Sequence, residues 1–318
     1  MLESRGMRVL VTGASGFVGA ALCRELSGRG HHVRAAVRRP IPPGADLPGL
    51  EQVLVEDVGV RLDWSPLLRG VDAVVHLAAV AHRGTREDEI RRVNLDATMR
   101  LAQSACRQVR RFVFMSSVKV HGEDSGDGAY KETDPTRPED AYGRSKLEAE
   151  RSLADLAAKS GTELATIRPP LVYGPAVKGN FLRLLRWIDS GLPLPFAGVQ
   201  NRRSLVYVGN LVDAVARCVE HPRGLGPFLV SDDETVSTSD LVSRAARAFE
   251  RPARLVRVPA TMLRFAGAIT GRGEEIRRLT GSLAVDISRA RDLLAWAPPF
   301  SLDRGLAETA RWFRAVRA

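Results

Sequence analysis

Tyr142 and Lys146 stand four residues apart in AYGRSKLEAE, a charged, alanine-rich stretch with helical spacing. Residues at that spacing share a helix face, so a phenol and an ammonium can meet one ligand there. A free phenol titrates at about 10 and is a poor base at neutral pH. A neighbouring ammonium stabilises its phenolate and suits it to exchange a proton with a carbinol or carbonyl oxygen. Two surface residues on one face would give the same spacing, so the pair needs a third partner. Ser116 and Ser117 in FMSSVKVHG follow an apolar run, which puts them at the carboxyl edge of a sheet, where open α/β folds bind ligands. A hydroxyl at that edge can hydrogen-bond a developing oxyanion.

VLVTGASGFVGAAL supplies the second constellation, an apolar strand followed by Gly13, Gly16 and Gly19 and then an apolar helix. The first glycine allows a tight turn, the second a close approach of backbone to a pyrophosphate, and the third close packing of helix on strand. The helix start adds free N–H groups and a positive dipole end. Gly13, Ser15, Gly16, Phe17, Val18 and Gly19 are therefore the candidate cradle of a dinucleotide. The next strand ends in HHVRAAVRR, with Arg38 and Arg39 where an NAD enzyme would carry a carboxylate for the ribose 2′-hydroxyl. This favours NADP(H), with NAD(H) possible. Asp57 and Val58 follow the third strand, and Asp57 either reaches the adenine amino group or caps its loop.

Strands are expected at Arg8–Thr12, Val33–Val37, Gln52–Val55, Ala73–Ala79, Arg111–Ser117 and Leu164–Arg168, with helices over Gly16–Arg29, Glu87–Gln108 and Pro138–Lys159 between them. Such alternation predicts an α/β fold with a doubly wound, Rossmann-type parallel sheet covered on both faces. Beyond Gly174 the pattern loosens into a helix at Phe181–Asp189, a strand at Leu205–Val208 and mostly helices to the end. We expect a dinucleotide-binding domain over 1–174, with strands near 204–230 returning to it. An interleaved, mostly helical substrate domain over 175–318 completes the chain. FLRLLRWI packs on that second domain, with Trp187 available as a pocket wall.

The chain has 318 residues, 44% of them hydrophobic, and three widely spaced cysteines, Cys23, Cys106 and Cys218. No CxxC or CxxH spacing suggests a disulfide framework or a metal site, so no metal is expected and the compartment reads as reducing. Neither a leader nor a membrane-spanning stretch is evident, and a cytoplasmic protein is expected. The net charge of +10 comes from scattered arginines rather than a basic arm. It suits anionic small substrates and is weak support for nucleic acid, which is not an expected partner.

Gly13-x-x-Gly16-x-x-Gly19, HLAA at His76–Ala79, SSVKVHG, Tyr142-x-x-x-Lys146, RPPLVYGP at Arg168–Pro175 and RRSLVYV at Arg202–Val208 together resemble the extended short-chain dehydrogenase/reductases. The nearest likeness is to the NAD(P)-dependent epimerase/dehydratase group acting on nucleotide sugars, which includes the UDP-hexose 4-epimerases. The resemblance implies Ser117 as the catalytic serine and a substrate contact, Tyr142 as acid/base and a cofactor contact, and Lys146 as its tuner and a ribose ligand. It places Leu77, Ala78 and Ala79 under the dinucleotide, adds Pro169 to the cofactor contacts, and sets Asn94 near the cofactor or in a structural role. Arg203 matches a substrate diphosphate ligand, against a bare strand-edge charge, and Arg277 or Arg278, of which Arg278 is the candidate, matches a second one on a looser correspondence. Leu171 replaces the family's asparagine, so one substrate hydrogen bond is either missing or supplied elsewhere, with Asn180 as the candidate. His121 replaces a tyrosine and reads as a packed loop residue.

Val118 and Lys119 stand where 4,6-dehydratases carry their acid pair, which argues against elimination. The expected activity is oxidoreduction at C4 of a nucleotide sugar. Reduction of a UDP-4-keto-6-deoxy-N-acetylhexosamine for surface polysaccharide stands ahead of 4-epimerisation. A non-catalytic NADP-sensing or RNA-binding relative would be expected to break the Tyr142–Lys146 pair, which this chain keeps. The helices over 87–108 and 138–159 resemble the pair that forms a four-helix homodimer interface in such enzymes.

Overall fold

The computed structural model describes residues 6–40, 47–55, 62–81, 84–259 and 273–317, together with 262, 265 and 269. Asp57 and Val58 lie outside the described residues. Seven strands form one sheet in the order β3-β2-β1-β4-β5-β6-β9, every neighbouring pair parallel. They are β1 (Arg8–Thr12), β2 (His32–Val37), β3 (Leu50–Leu54), β4 (Ala73–His76), β5 (Arg111–Met115), β6 (Glu163–Arg168) and β9 (Gly226–Leu229). Strands covered on both faces need side chains that bury whichever way they point. Val9, Leu10, Val11, Val74, Val75, Phe112, Val113 and Phe114 are accordingly all at 0% exposure.

The helices obey the same demand on one face. In α1 (Phe17–Gly28) Gly19, Leu22, Cys23 and Leu26 are buried, at spacings of three and four. The 20-residue α5 (Ala141–Ser160) starts at Asp140, whose side chain accepts the Gly143 N–H, and stops at Gly161, whose φ of +75° takes the chain out of the helix. The single helix expected over 87–108 is interrupted. A helical turn at Glu87–Arg91 gives way to a π turn at Arg92–Asp96 before α4 (Ala97–Ala105) resumes. Its cause becomes visible at the site.

Of the two strands expected to return near 204–230, β9 joins the main sheet. β8 (Arg203–Tyr207) pairs instead with β7 (Leu171–Tyr173) and β10 (Thr235–Val236) in a small separate sheet. Helices α6 (Gly179–Asp189), α7 (Val208–Glu220), α8 (Thr238–Ala248) and those at Gly273–Thr280, Ser288–Leu294 and Leu302–Arg317 make up most of the rest. Among the described residues no helix is long and apolar enough to cross a membrane. The three cysteines are buried and free.

Candidate active site

The strand order reverses direction between β1 and β4, and chain crossovers leave that point on opposite faces of the sheet. This opens a crevice at the carboxyl ends of the two strands. The glycine turn lies there. Gly13 has φ +69°, and a Cβ on it would lie 2.8 Å from the Ala78 nitrogen, so the turn presses against the Leu77–Ala79 segment that continues β4. A Cβ on Gly19 would come within 2.1 Å of the Gly13 carbonyl oxygen. A Cβ on Gly16 would meet nothing closer than that same oxygen at 3.1 Å, and Ser15 and Gly16 are exposed. Gly16 caps α1 with no side chain, leaving the first-turn amides of Phe17 and Val18 facing outward. A cradle closed on two sides by backbone and lined by helix amides fits a dinucleotide pyrophosphate. Arg38 is exposed just past the end of β2.

The strand-end segment is held from below and from the side. Neutral His76, its pKa pushed down to about 3 by burial and then by Lys146, bridges the Thr12 and Thr98 hydroxyls at 2.7 and 2.9 Å. Asn94, fully buried in the π turn, accepts the Val80 N–H at 2.8 Å and donates to the Val80 carbonyl at 2.9 Å and the Ser145 hydroxyl at 3.1 Å. Asn94 thus ties the segment after β4 to the helix of Tyr142, a structural role at the edge of the cofactor crevice. A regular helix would aim position 94 elsewhere, which accounts for the π turn.

Lys146 is 1% exposed, donates to the Met115 carbonyl at 2.8 Å, and lies 4.6 Å from the Phe114 ring centroid and 5.9 Å from that of Tyr142. Burial lowers its pKa to about 7, with Glu150 opposing. The Tyr142 phenol is pushed up by burial and then by the charge of Asp140. The acidified phenol expected from the sequence is thus not present in the protein alone. Desolvation outweighs the ammonium, whose own charge is weakened by the same burial. Ser117 ends β5's extension, with Val118 N–H donating to the Pro169 carbonyl at 3.0 Å. Its hydroxyl oxygen accepts the Lys119 N–H at 3.3 Å, which leaves the hydroxyl hydrogen available to a ligand. Ser116 is 2% exposed, and its hydroxyl has no hydrogen-bond partner among the described residues.

From Ser117 a cavity of about 370 Å³ runs outward to Asn180, Arg203 and Arg278. The four expected substrate residues therefore share one cavity, whereas Tyr142 and Lys146 are not among its lining residues and belong to the crevice side of Ser117. Leu171 forms part of its wall, and the Asn180 oxygen accepts from Arg183 at 2.6 Å. Arg203 donates to the Arg278 carbonyl at 2.6 Å, and Arg278 itself approaches Glu123 at 3.3 Å. Sequence reasoning missed Glu123 and Arg183 as lining residues and read Lys119 only as a missing acid. Lys119's place two residues after Ser117 was the available signal. His121 is buried against Tyr130 at 5.2 Å, with Nε2 3.0 Å from Arg168, and is a packed loop residue. Among the described residues no His, Cys, Asp and Glu cluster could hold a metal.

A glycine cradle at the sheet's switch point, with a tyrosine–lysine helix and a strand-end serine beside it, defines an extended short-chain dehydrogenase/reductase. Residues 9–229 match the model of the NAD dependent epimerase/dehydratase family, and the chain belongs to that family. It is 40% identical over 315 residues to a UDP-glucose 4-epimerase of Vibrio cholerae, covering 96% of this chain and 95% of the relative. It is 30% identical over 333 residues to a dTDP-4-dehydro-6-deoxy-D-allose reductase of a Streptomyces species, covering 97% of each. Among solved structures, MoeE5 in complex with UDP-glucuronic acid and NAD superposes with a TM-score of 0.79 at 29% identity, covering 97% of this chain and 99% of that one. That neighbour holds NAD, and the comparisons give no support to the NADP preference expected from Arg38 and Arg39.

Proposed function

We propose that the protein interconverts C4 epimers of a UDP-sugar, using NAD held in the glycine cradle. The observation that carries this reading is the single cavity joining Ser117 to Arg203 and Arg278. Such a cavity has a hydroxyl donor at one end for a sugar oxygen and two guanidinium groups at the other for a diphosphate. Glycine turn, Leu77–Ala79 and Lys146 would hold the cofactor, which supplies a hydride acceptor. The chain's own residues handle the proton. Ser117 donates to the C4 oxygen, and Tyr142 takes its proton as the C4–H electron pair departs, leaving a 4-keto sugar. Lys146 stabilises the phenolate and loses less solvation once it faces ribose hydroxyls. Once the 4-keto sugar has turned its other face toward the crevice, return of the hydride to C4 with the proton from Tyr142 gives the epimer.

The 40% identical epimerase supports this outcome. A second reading, net reduction of a 4-keto-6-deoxy sugar nucleotide with NADP(H), is favoured by Arg38 and Arg39 at the end of β2 and by Leu171 in the cavity wall. The two readings separate in one experiment. Proton NMR of UDP-glucose or UDP-N-acetylglucosamine incubated without reductant should show the C4 isomer appear. Absence of isomer, with one reduced cofactor consumed per 4-keto sugar, would replace the first reading by the second.

Helices over 87–105 and 141–160 present ion pairs Arg91–Glu148 at 2.8 Å and Arg144–Glu87 at 3.0 Å on an exposed face. We assign this face to a homodimer, for which light scattering should return twice the chain mass. Buried free thiols fit a reducing, cytoplasmic setting.

A further inference from the structure

Lys119 joins the turn that carries Ser117 to the helix that carries Tyr142. Its backbone N–H donates to the Ser117 hydroxyl oxygen, and its ammonium donates to Asp140 and to Glu123, each at 2.5 Å. Asp140 stands two residues before Tyr142 and spends its other oxygen on the Gly143 N–H at 2.7 Å, capping α5. The two backbones touch directly, since a Cβ on Gly143 would lie 2.8 Å from the Lys119 carbonyl oxygen. A continuous chain of bonds therefore runs from the serine through Lys119 and Asp140 to the first turn beneath the tyrosine.

We infer that Lys119 is a positioning residue for the C4 reaction, setting through Asp140 the separation between the Ser117 hydroxyl and the Tyr142 phenol. The inference rests on the C4 reading above, in which one sugar oxygen must reach both groups. Displacing such a group by about 1 Å costs on the order of 100-fold in rate. Lys119 and Asp140 side chains are 23% and 35% exposed, so their pairing adds little to stability and its use is geometric. Arg278, 3.7 Å from Asp140 and 3.3 Å from Glu123, is a second cation for the same two acids, but it comes from the helix Gly273–Thr280, outside the turn that carries Ser117.

The test uses Lys119→Met, Lys119→Arg, Asp140→Ser, which keeps a helix cap, and the double variant Lys119→Met/Asp140→Ser. Steady-state kinetics on the UDP-sugar, cofactor titration, and amide hydrogen exchange over 117–123 and 140–146 are measured for each. Lys119→Met and Asp140→Ser should each lower kcat about 10- to 100-fold, with KM and cofactor Kd changed less than about threefold. The double variant should be no worse than either single one, because both break one tie, and Lys119→Arg should recover most of the rate. Either single change should speed exchange in both segments. An unchanged kcat in a folded Lys119→Met, losses that multiply in the double variant, or exchange that rises only around the substituted residue would each overturn the inference. A wild-type protein that moves no hydride at C4 of any UDP-sugar would overturn the functional reading instead. The exchange data then still decide whether the tie exists.

Discussion

Lys146 on α5 donates its ammonium to the carbonyl of Met115, the last residue of β5, across 2.8 Å. A cation held this deep against a strand end loses its water, and burial carries its pKa from 10.5 to about 7. Between those values the unfolded chain binds a proton that the folded protein does not, so this group makes stability rise with pH from about 7 to about 10. Below pH 7 both states are protonated and the full cost of the buried charge remains. Lys146→Met has no such group. The stability of the wild type relative to this variant should therefore grow by about 2 kcal/mol between pH 7 and pH 9, at most about 1.4 kcal/mol per unit. Urea midpoints at the two pH values measure it, and parallel pH curves would contradict the burial argument.

Tyr142→Phe removes one oxygen and leaves the ring beside Lys146. If the phenol is the proton carrier, turnover should fall by about 10² to 10⁴. Cofactor affinity should stay within about threefold, since the cradle at Gly13–Gly19 is separate. Retention of near-normal turnover would remove Tyr142 from its role in either reaction.

Gly13→Ala combines a backbone at φ +69° with a new carbon 2.8 Å from the Ala78 nitrogen. Strain of this kind costs on the order of 1 to 3 kcal/mol, and relief by moving the turn would open the cradle. Thermal midpoint and cofactor affinity should both drop. Gly28→Ala is the control, because its Cβ would meet nothing within 4 Å and it closes α1. That change should leave cofactor affinity unaltered and add about 0.5 to 1 kcal/mol.

Arg203→Met tests the diphosphate end of the cavity. UDP should bind about 10- to 100-fold more weakly, as expected for loss of a charge-assisted contact of about 1.5 to 3 kcal/mol. Calorimetric titration with UDP at two salt concentrations would show the variant less sensitive to salt than the wild type. Uridine, which has no phosphate, should bind both proteins alike.

Much of this site is legible in the sequence because its chemistry is local. The glycine turn, the Tyr142–Lys146 spacing and Ser117 at a strand end each follow from one short stretch, and alternating apolar runs set out the large sheet. What the sequence hides are pairings made in three dimensions. Asp140 falls inside the helix expected from Pro138, and Lys119 reads only as the place of a missing acid, until the turn and the helix meet. β8 reads as another main-sheet strand, and only its pairing with Leu171–Tyr173 moves it to the small sheet. The raised phenol was likewise out of reach, because spacing reports the nearby cation but not the water that both groups lose.

The π turn at Arg92–Asp96 also has a bearing on how this chain tolerates deletion. A protein one residue shorter in that stretch would run as an unbroken α-helix, locally better formed, with the following side chains still in register but those of the turn, Asn94 included, aimed elsewhere. The amide and carbonyl of Val80 would lose their side-chain partner, and the span between the sheet edge and Ser145 would come apart. Regularity in that helix and integrity of the crevice therefore exclude one another.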